Sequence, residues 1–381
     1  MRKFIPYARQ YIDEEDIQAV AEVLRSDFIT TGPKIAELEN TITKYTGAKY
    51  AVAVSNGTAA LHAACFAAGI GPGDEVITTP MTFAASANCI LYMGGRPVFA
   101  DIDPRTYNID PRDIENKITD KTKAVIPVHF TGQPCDMDEI MRIADKYGLT
   151  VIEDGAHAMG AEYKGRKIGT IGAMTTLSFH PVKHITTGEG GAVLTDDKSL
   201  YEKMLLFRVN GITKDSDKME RNEGLWFCEQ HSLGFNYKLT DIQAALGISQ
   251  FRKLEFFLGR RRQYAALYNV LLEQIEGVIV PQQLQYVNSA WHLYIIKLDF
   301  AKIRLNRRHA FDELRKRNIG VHVHYIPVYY HPYYRNLGYF KGICPEAEAL
   351  YEAIITLPLY PSMEEEDIYY IADSLRDILR S

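Results

Sequence analysis

Seven short apolar runs rich in Val and Ile punctuate the first half of the chain: Lys49–Ser55, Asp74–Thr79, Arg96–Ala100, Ala124–Phe130, Thr150–Glu153, Thr175–Phe179 and Gly190–Leu194. Helical spacing fills most of the intervals between them. A run without polar alternation suits a strand buried on both faces, and parallel strands need crossovers that cover those faces. The pattern therefore predicts an α/β chain with a large, mainly parallel, seven-stranded sheet. Gly57-Thr58-Ala59-Ala60-Leu61 follows the first run at once, so that strand turns tightly into a helix.

After Thr195 the pattern changes. Asp196–Arg208 and Lys238–Leu272 read as helices, with a polar stretch, Gly211–Gln230, between them. A structureless segment of that length is usually functional or an interface. Beyond it the expected strands are Gly277–Pro281, Trp291–Leu298 and Val321–Tyr325, with helices at Arg307–Arg317, Cys344–Ile354 and Glu364–Leu379. That mixture is a smaller α+β unit. At roughly 150 residues per domain, the 381 residues divide into an N-terminal arm (1–14), a large domain (15–250) and a small C-terminal domain (251–381). The boundary is expected near Phe251–Gly259.

Charge excludes one class of partner. Forty-three Lys and Arg against 48 Asp and Glu leave a net charge of −5, without the basic excess of a nucleic-acid binder. The one dense basic run, Arg260-Arg261-Arg262, reads as a solvated helix face. The 5 cysteines are scattered with no C-x-x-C pair, as in a chain whose thiols stay reduced. Pro6 interrupts the N-terminus before an apolar stretch forms, and no run is long enough for a membrane span. The expectation is a soluble, cytoplasmic protein.

Four signals sit at the carboxyl ends of expected strands, where open α/β sheets bind ligands. Ser55-Asn56-Gly57-Thr58 opens a helix whose free N–H groups suit an anion, although a capped turn needs no ligand. Glu153-Asp154-Gly155-Ala156-His157 closes another strand; the acidic pair suits a metal or acid–base work, or Asp154 simply caps the next helix. Ser178-Phe179-His180-Pro181-Val182-Lys183 precedes Thr187-Gly188-Glu189-Gly190-Gly191. A lysine between a proline turn and a glycine-rich turn is poorly placed for packing, and lysine becomes a nucleophile once its pKa falls. Phe83 lies just past the Asp74–Thr79 strand, placed to stack on a flat ligand or to fill core.

Together these four fit pyridoxal 5′-phosphate (PLP). PLP needs a lysine to bind its aldehyde carbon, an acid for its ring nitrogen, donors for its phosphate and a surface for its ring. Asp154 and Lys183 lie about one strand–helix–strand excursion apart, as roles on neighbouring strands require.

The chain also resembles the fold-type I PLP enzymes, and within them the DegT-type sugar aminotransferase family. The residues that carry the resemblance are Thr31-Gly32-Pro33, Asn56–Leu61, Glu153–His157, Ser178–Lys183, Gly188–Gly191, Gly234–Ala245 and His324-Tyr325-Ile326-Pro327-Val328. It implies that Lys183 binds the cofactor and shuttles the proton, and that Asp154 pairs with the ring nitrogen. His157 is implied at the ring's 3-oxygen, Phe83 over the ring, and Gly57, Thr58 and Ser178 at the phosphate. Asn236 is implied to reach the phosphate of a neighbouring subunit, which makes a homodimer with shared sites. Tyr7, His184, His324 and Tyr325 are implied on the sugar side. Two departures stand out: Arg208-Val209-Asn210-Gly211 where Arg-Ser-His-Gly is common, and Phe28 where Trp is common.

A narrower resemblance rests on Ile5–Gln10, Gly132–Asp136 and Phe179–Gly191. It is to the branch that aminates UDP-linked 4-keto-6-deoxy sugars for pseudaminic acid, with L-glutamate as donor. The implied product is UDP-4-amino-4,6-dideoxy-N-acetyl-β-L-altrosamine. The alternatives are amination of another nucleotide-linked 4-keto sugar (the D-gluco UDP-N-acetyl sugar or a UDP-4-keto-pentose), a sugar 3-dehydratase, in which histidine replaces the lysine, and a non-catalytic sensor. Arg208 is a candidate for the donor's α-carboxylate. His322 and His324 lie two apart and share a face, but no third or fourth ligand accompanies them, so no metal is expected.

Overall fold

The computed structural model describes residues 3–380; Met1, Arg2 and Ser381 lie outside the described residues. Seven strands form one sheet: β1 (Tyr50–Val54), β2 (Glu75–Thr78), β3 (Arg96–Phe99), β4 (Thr122–Ile126), β5 (Thr150–Asp154), β6 (Met174–Ser178) and β7 (Gly191–Thr195). Their spatial order is β3-β2-β4-β5-β6-β7-β1. All run parallel except β7, which is antiparallel to both neighbours. Each overlaps its expected run. β4 stops at Ile126, short of Phe130, because Pro127 has no N–H for the ladder.

The runs are continuously apolar because both sheet faces are buried. Ala51, Ile77, Val125, Val151, Leu177 and Leu194 pack on one face. Their sequence neighbours Val52, Val76, Ala124, Ile152 and Val193 pack on the other, as the two-residue side-chain period demands. Three helices come early: α1 (Glu14–Leu24), α2 (Pro33–Thr46) and α3 (Gly57–Ala67). The first two lie ahead of the sheet and outside the expected pattern. Asp13 and Asp16 form a capping box that starts α1, and Pro33 at the first helical position starts α2.

Other departures have local causes. The link from β5 to β6 is a hairpin, Glu162–Tyr163 with Arg166–Lys167, in place of the expected helix. Lys238–Leu272 is two helices, Asp241–Arg252 and Leu254–Leu272; Thr240 caps the first through a box with Gln243. The expected helix Cys344–Ile354 ends at Ala353, and the β-branched run after it forms a strand, Ile354–Leu357, against Tyr294–Leu298. The expected strand Val321–Tyr325 reduces to one bridge, His322 with Thr356. Gly211–Gln230 holds a two-residue pairing of Ile212–Thr213 with Glu229–Gln230.

A separate apolar cluster joins Tyr264 and Tyr268 to Tyr294, Ile355, Leu357 and Ile371. Ile5 belongs to it, held by Ile5 N to Asn318 O at 2.9 Å and Gly320 N to Ile5 O at 2.7 Å. Residues 5–7 therefore lie along the C-terminal elements. Among the described residues no helix is long and apolar enough to cross a membrane, and no group of three or more His, Cys, Asp or Glu is arranged to hold a metal.

Candidate active site

The carboxyl ends of β1, β5 and β6 open onto a cavity of about 1420 Å³. Gly57, Thr58, Phe83, Asp154, His157, Ser178 and Lys183 line it, as do Tyr7, His324 and Tyr325. Ten of the twelve side chains expected at the site thus share one cavity.

At its floor, the Asn56 side chain caps α3, accepting from Ala59 N at 2.8 Å. That leaves the N–H groups of Gly57 and Thr58 in the open first turn. A Cβ on Gly57 would stand 3.0 Å from Ser178 Cβ, so glycine lets the helix start lie against the end of β6. Gly191 serves the same junction: a Cβ there would meet the Asn56 backbone at 2.7 Å. These two glycines bring N–H groups, a hydroxyl and the positive end of a helix together, which is an anion site.

Asp154 ends β5, almost fully buried. Its Oδ2 accepts from Ser86 Oγ at 2.7 Å, and its Oδ1 accepts from Ala156 N at 3.1 Å. Ser86 in turn pairs with Thr82 at 2.7 Å. Glu153 points the other way, being one residue along the strand. It is fully buried against His129 Nε2 at 2.9 Å, and also accepts from Gly172 N and Thr175 Oγ1. The acidic pair is therefore split: Glu153 holds the fold, and Asp154 faces the cavity.

Lys183 reaches the same space, its Nζ 3.3 Å from His292 Nε2. Burial lowers its pKa to about 8; Asp154 opposes the shift and Arg261 adds to it. About a tenth of such an amine is unprotonated at pH 7, against about one part in 3,000 for an ordinary lysine. The His157 ring lies 4.3 Å from that of His292, and its Nε2 is 3.2 Å from Tyr325 Oη. Burial, then the Lys183 charge, hold His157 well below the ordinary histidine range.

The outer wall is aromatic. The Tyr7 ring lies 5.4 Å from both His322 and His324, whose rings stack 4.4 Å apart. Burial and the neighbouring His322 lower the His324 pKa to about 3, and its Nδ1 pairs with Thr356 Oγ1. Phe83 is 64% exposed at the mouth, 6.5 Å from Tyr325.

Two expected residues lie outside this lining. His184 is buried behind it, with Nε2 on Ala290 O at 3.0 Å. Asn236 is exposed, bridged to Val209, and not among the residues that line the cavity of its own chain. Arg208 is also elsewhere. It donates to Ala53 O at 2.9 Å and pairs with Glu39, which accepts from Ala53 N at 2.9 Å. The two side chains satisfy the open edge of β1, and Arg208 is not among the residues that line the cavity. Removing one partner of a largely buried pair strands the other. Arg208→Met should therefore lower the unfolding free energy by about 3 kcal/mol in a urea titration.

Ser86 and His292 touch the key side chains yet escape the sequence reading. Ser86 sits in a run of small residues, and His292 within an apolar run read as strand. No spacing marks either of them.

The residues fit the expected cofactor. The anion cradle, the buried carboxylate of Asp154 and the Lys183 amine face one space. His157 Nδ1 is buried with no partner among the described residues, so a polar ligand atom has a donor waiting. The chain is 44% identical over 99% of its length to the spore coat polysaccharide biosynthesis protein SpsC of Bacillus subtilis, covering 97% of that protein. Helicobacter pylori PseC, an aminotransferase of pseudaminic acid biosynthesis, superposes with a TM-score of 0.92 at 32% identity, over 99% of this chain and 100% of that one. Spr1654 of Streptococcus pneumoniae, described as a sugar aminotransferase and solved in its PLP-form, gives 0.92 at 32% over 99% of each chain. The model of the DegT/DnrJ/EryC1/StrS aminotransferase family matches residues 10–376, and the chain belongs to that family of sugar aminotransferases.

Proposed function

We propose that this aminotransferase moves the amino group of L-glutamate to C4 of a UDP-linked 4-keto-6-deoxy-N-acetylhexosamine, giving UDP-4-amino-4,6-dideoxy-N-acetyl-β-L-altrosamine. The observation that carries the reading is one cavity with Lys183 and Asp154 at its floor and Tyr7, His322, His324 and Tyr325 along its outer wall. The likeness to PseC, an aminotransferase of pseudaminic acid biosynthesis, supports the pathway.

The cofactor is PLP, which supplies an electron sink that lets an amino group leave one carbon and join another. Gly57, Thr58 and Ser178 would hold its phosphate. Asp154 would pair with the ring nitrogen and, as a carboxylate, favour its protonated form. His157 would serve the ring's 3-oxygen and Phe83 the ring face. Lys183 would be the amine that holds the cofactor and the group that holds or moves a proton at Nζ. The neutral, aromatic wall of Tyr7, His324 and Tyr325 holds the sugar. A second copy of the chain completes the site through Asn236. In support, Asn236 is exposed and does not line its own cavity, and it is near Leu225, Trp226 and Leu233 in the sequence, which are 104%, 76% and 78% exposed.

A second reading has its own support. The identity to SpsC, a spore coat polysaccharide biosynthesis protein, supports amination of another nucleotide-linked 4-keto sugar for a polysaccharide. One assay separates the two. Purified enzyme with glutamate is offered each 4-keto sugar nucleotide, and the product is identified by NMR. The L-altro amino sugar is expected; exclusive turnover of another epimer or of a pentose overturns the first reading.

A further inference from the structure

Arg261, expected on a solvated face, is fully buried. Its Nη1 donates to three carbonyls: Trp291 O at 3.2 Å, His292 O at 3.1 Å and Leu359 O at 2.9 Å. Among the described residues it has no carboxylate partner. A guanidinium kept from water on carbonyls alone is costly, so the segment it fixes matters.

That segment is clamped from its other side too. His292 N donates to Thr131 O at 2.7 Å, and Ala290 N to Gly132 O at 3.0 Å. Thr131 (φ 59°) and Trp291 (φ 48°) both adopt the left-handed region, where branched and bulky residues are strained. Such strain persists where the surroundings over-determine it, and it gathers at functional sites. The product of this clamp is one imidazole. The His292 ring lies between His157 at 4.3 Å and His184 at 5.5 Å, with Nε2 on Lys183 Nζ.

We infer that His292 is a further member of the proton-transfer machinery: its Nε2 accepts an N–H of Lys183 and so turns the amine toward the cavity, while Arg261 is a positioning residue that fixes His292. The inference rests on Lys183 being the cofactor-bound amine. An ammonium only donates, so the hydrogen of His292 sits on Nδ1, which is buried with no partner among the described residues. Burial first, then the Lys183 charge, keep His292 neutral. It takes no proton; it aims one. The other groups facing Lys183 are the Asp154 carboxylate, the Arg261 cation and the neutral His157, His184 and His324.

The test reads the amine itself. Full-length cofactor-free protein is acetylated with acetic anhydride across a pH series, and the peptide bearing Lys183 is quantified by mass spectrometry. His292→Leu removes an acceptor of the ammonium and should lower the Lys183 midpoint by roughly one pH unit. Arg261→Met frees the segment that carries His292, so in the loaded enzyme it should lower kcat with KM little changed, and adding it to His292→Leu should cost little more. His292→Gln, with an acceptor near the Nε2 position, should keep the midpoint close to wild type. In the loaded enzyme His292→Leu should lower kcat about ten- to a hundredfold with KM changed less than about threefold, and His292→Gln should recover most of that loss. An unmoved midpoint in His292→Leu, or the same displacement in the Leu and Gln variants, overturns the inference. Full activity of Lys183→Ala would instead overturn the assignment of Lys183, a separate failure.

Discussion

Lys183→Ala should reduce amino transfer by about 10²–10⁴-fold, the contribution of a positioned general acid–base group, and abolish the cofactor's covalent attachment. Both losses come from one atom. Among the described residues Lys183 is the single lysine lining the cavity, and burial has already brought its pKa to about 8. An alanine leaves the phosphate cradle and Asp154 in place, so the cofactor should still bind, without its covalent bond. Steady-state kinetics with glutamate, beside equilibrium dialysis of the cofactor, separate lost chemistry from lost binding. Weak binding with residual rates near wild type would contradict the assignment.

Asp154→Asn should cost about two to four powers of ten in kcat, from roughly 3–5 kcal/mol for removing one partner of a buried charge pair. The amide is nearly isosteric and keeps an acceptor for Ser86, so the fold should survive. What it lacks is the negative charge that, on the proposed assignment, would keep the ring nitrogen protonated. Ser86→Ala is the graded control: it removes one hydrogen bond to that carboxylate and should cost about tenfold. An Asp154→Asn enzyme no slower than Ser86→Ala would mean that the carboxylate's charge is not what the reaction uses.

The large sheet was legible because burial on both faces leaves continuous apolar runs, and Val52, Val76 and Ile152 carry that signature without help from the rest of the chain. Lys183, Asp154 and Gly57 stood out as candidates because Asp154 ends a strand and the other two lie a few residues past one, each within a motif of turn residues. What stayed hidden depends on distant partners. His292 becomes functional only through Thr131 and Arg261, far from it in sequence. Arg208, in a candidate substrate motif, closes the edge of β1 with Glu39, a role set by α2. Arg261 reads as one of three surface cations, yet the helix carries it under the loop at Trp291 while Arg260 stays nearer the surface. Periodicity places residues on faces; it does not say which neighbouring element covers the face.

The central claim is that Lys183 is the residue that binds PLP covalently in this cavity. Borohydride reduction of the PLP-loaded enzyme, then peptide mapping, tests it most directly. A pyridoxyl group is expected on the peptide that carries Lys183 and nowhere else; a label on another lysine, or no label on a protein that still transfers amino groups, would rule Lys183 out.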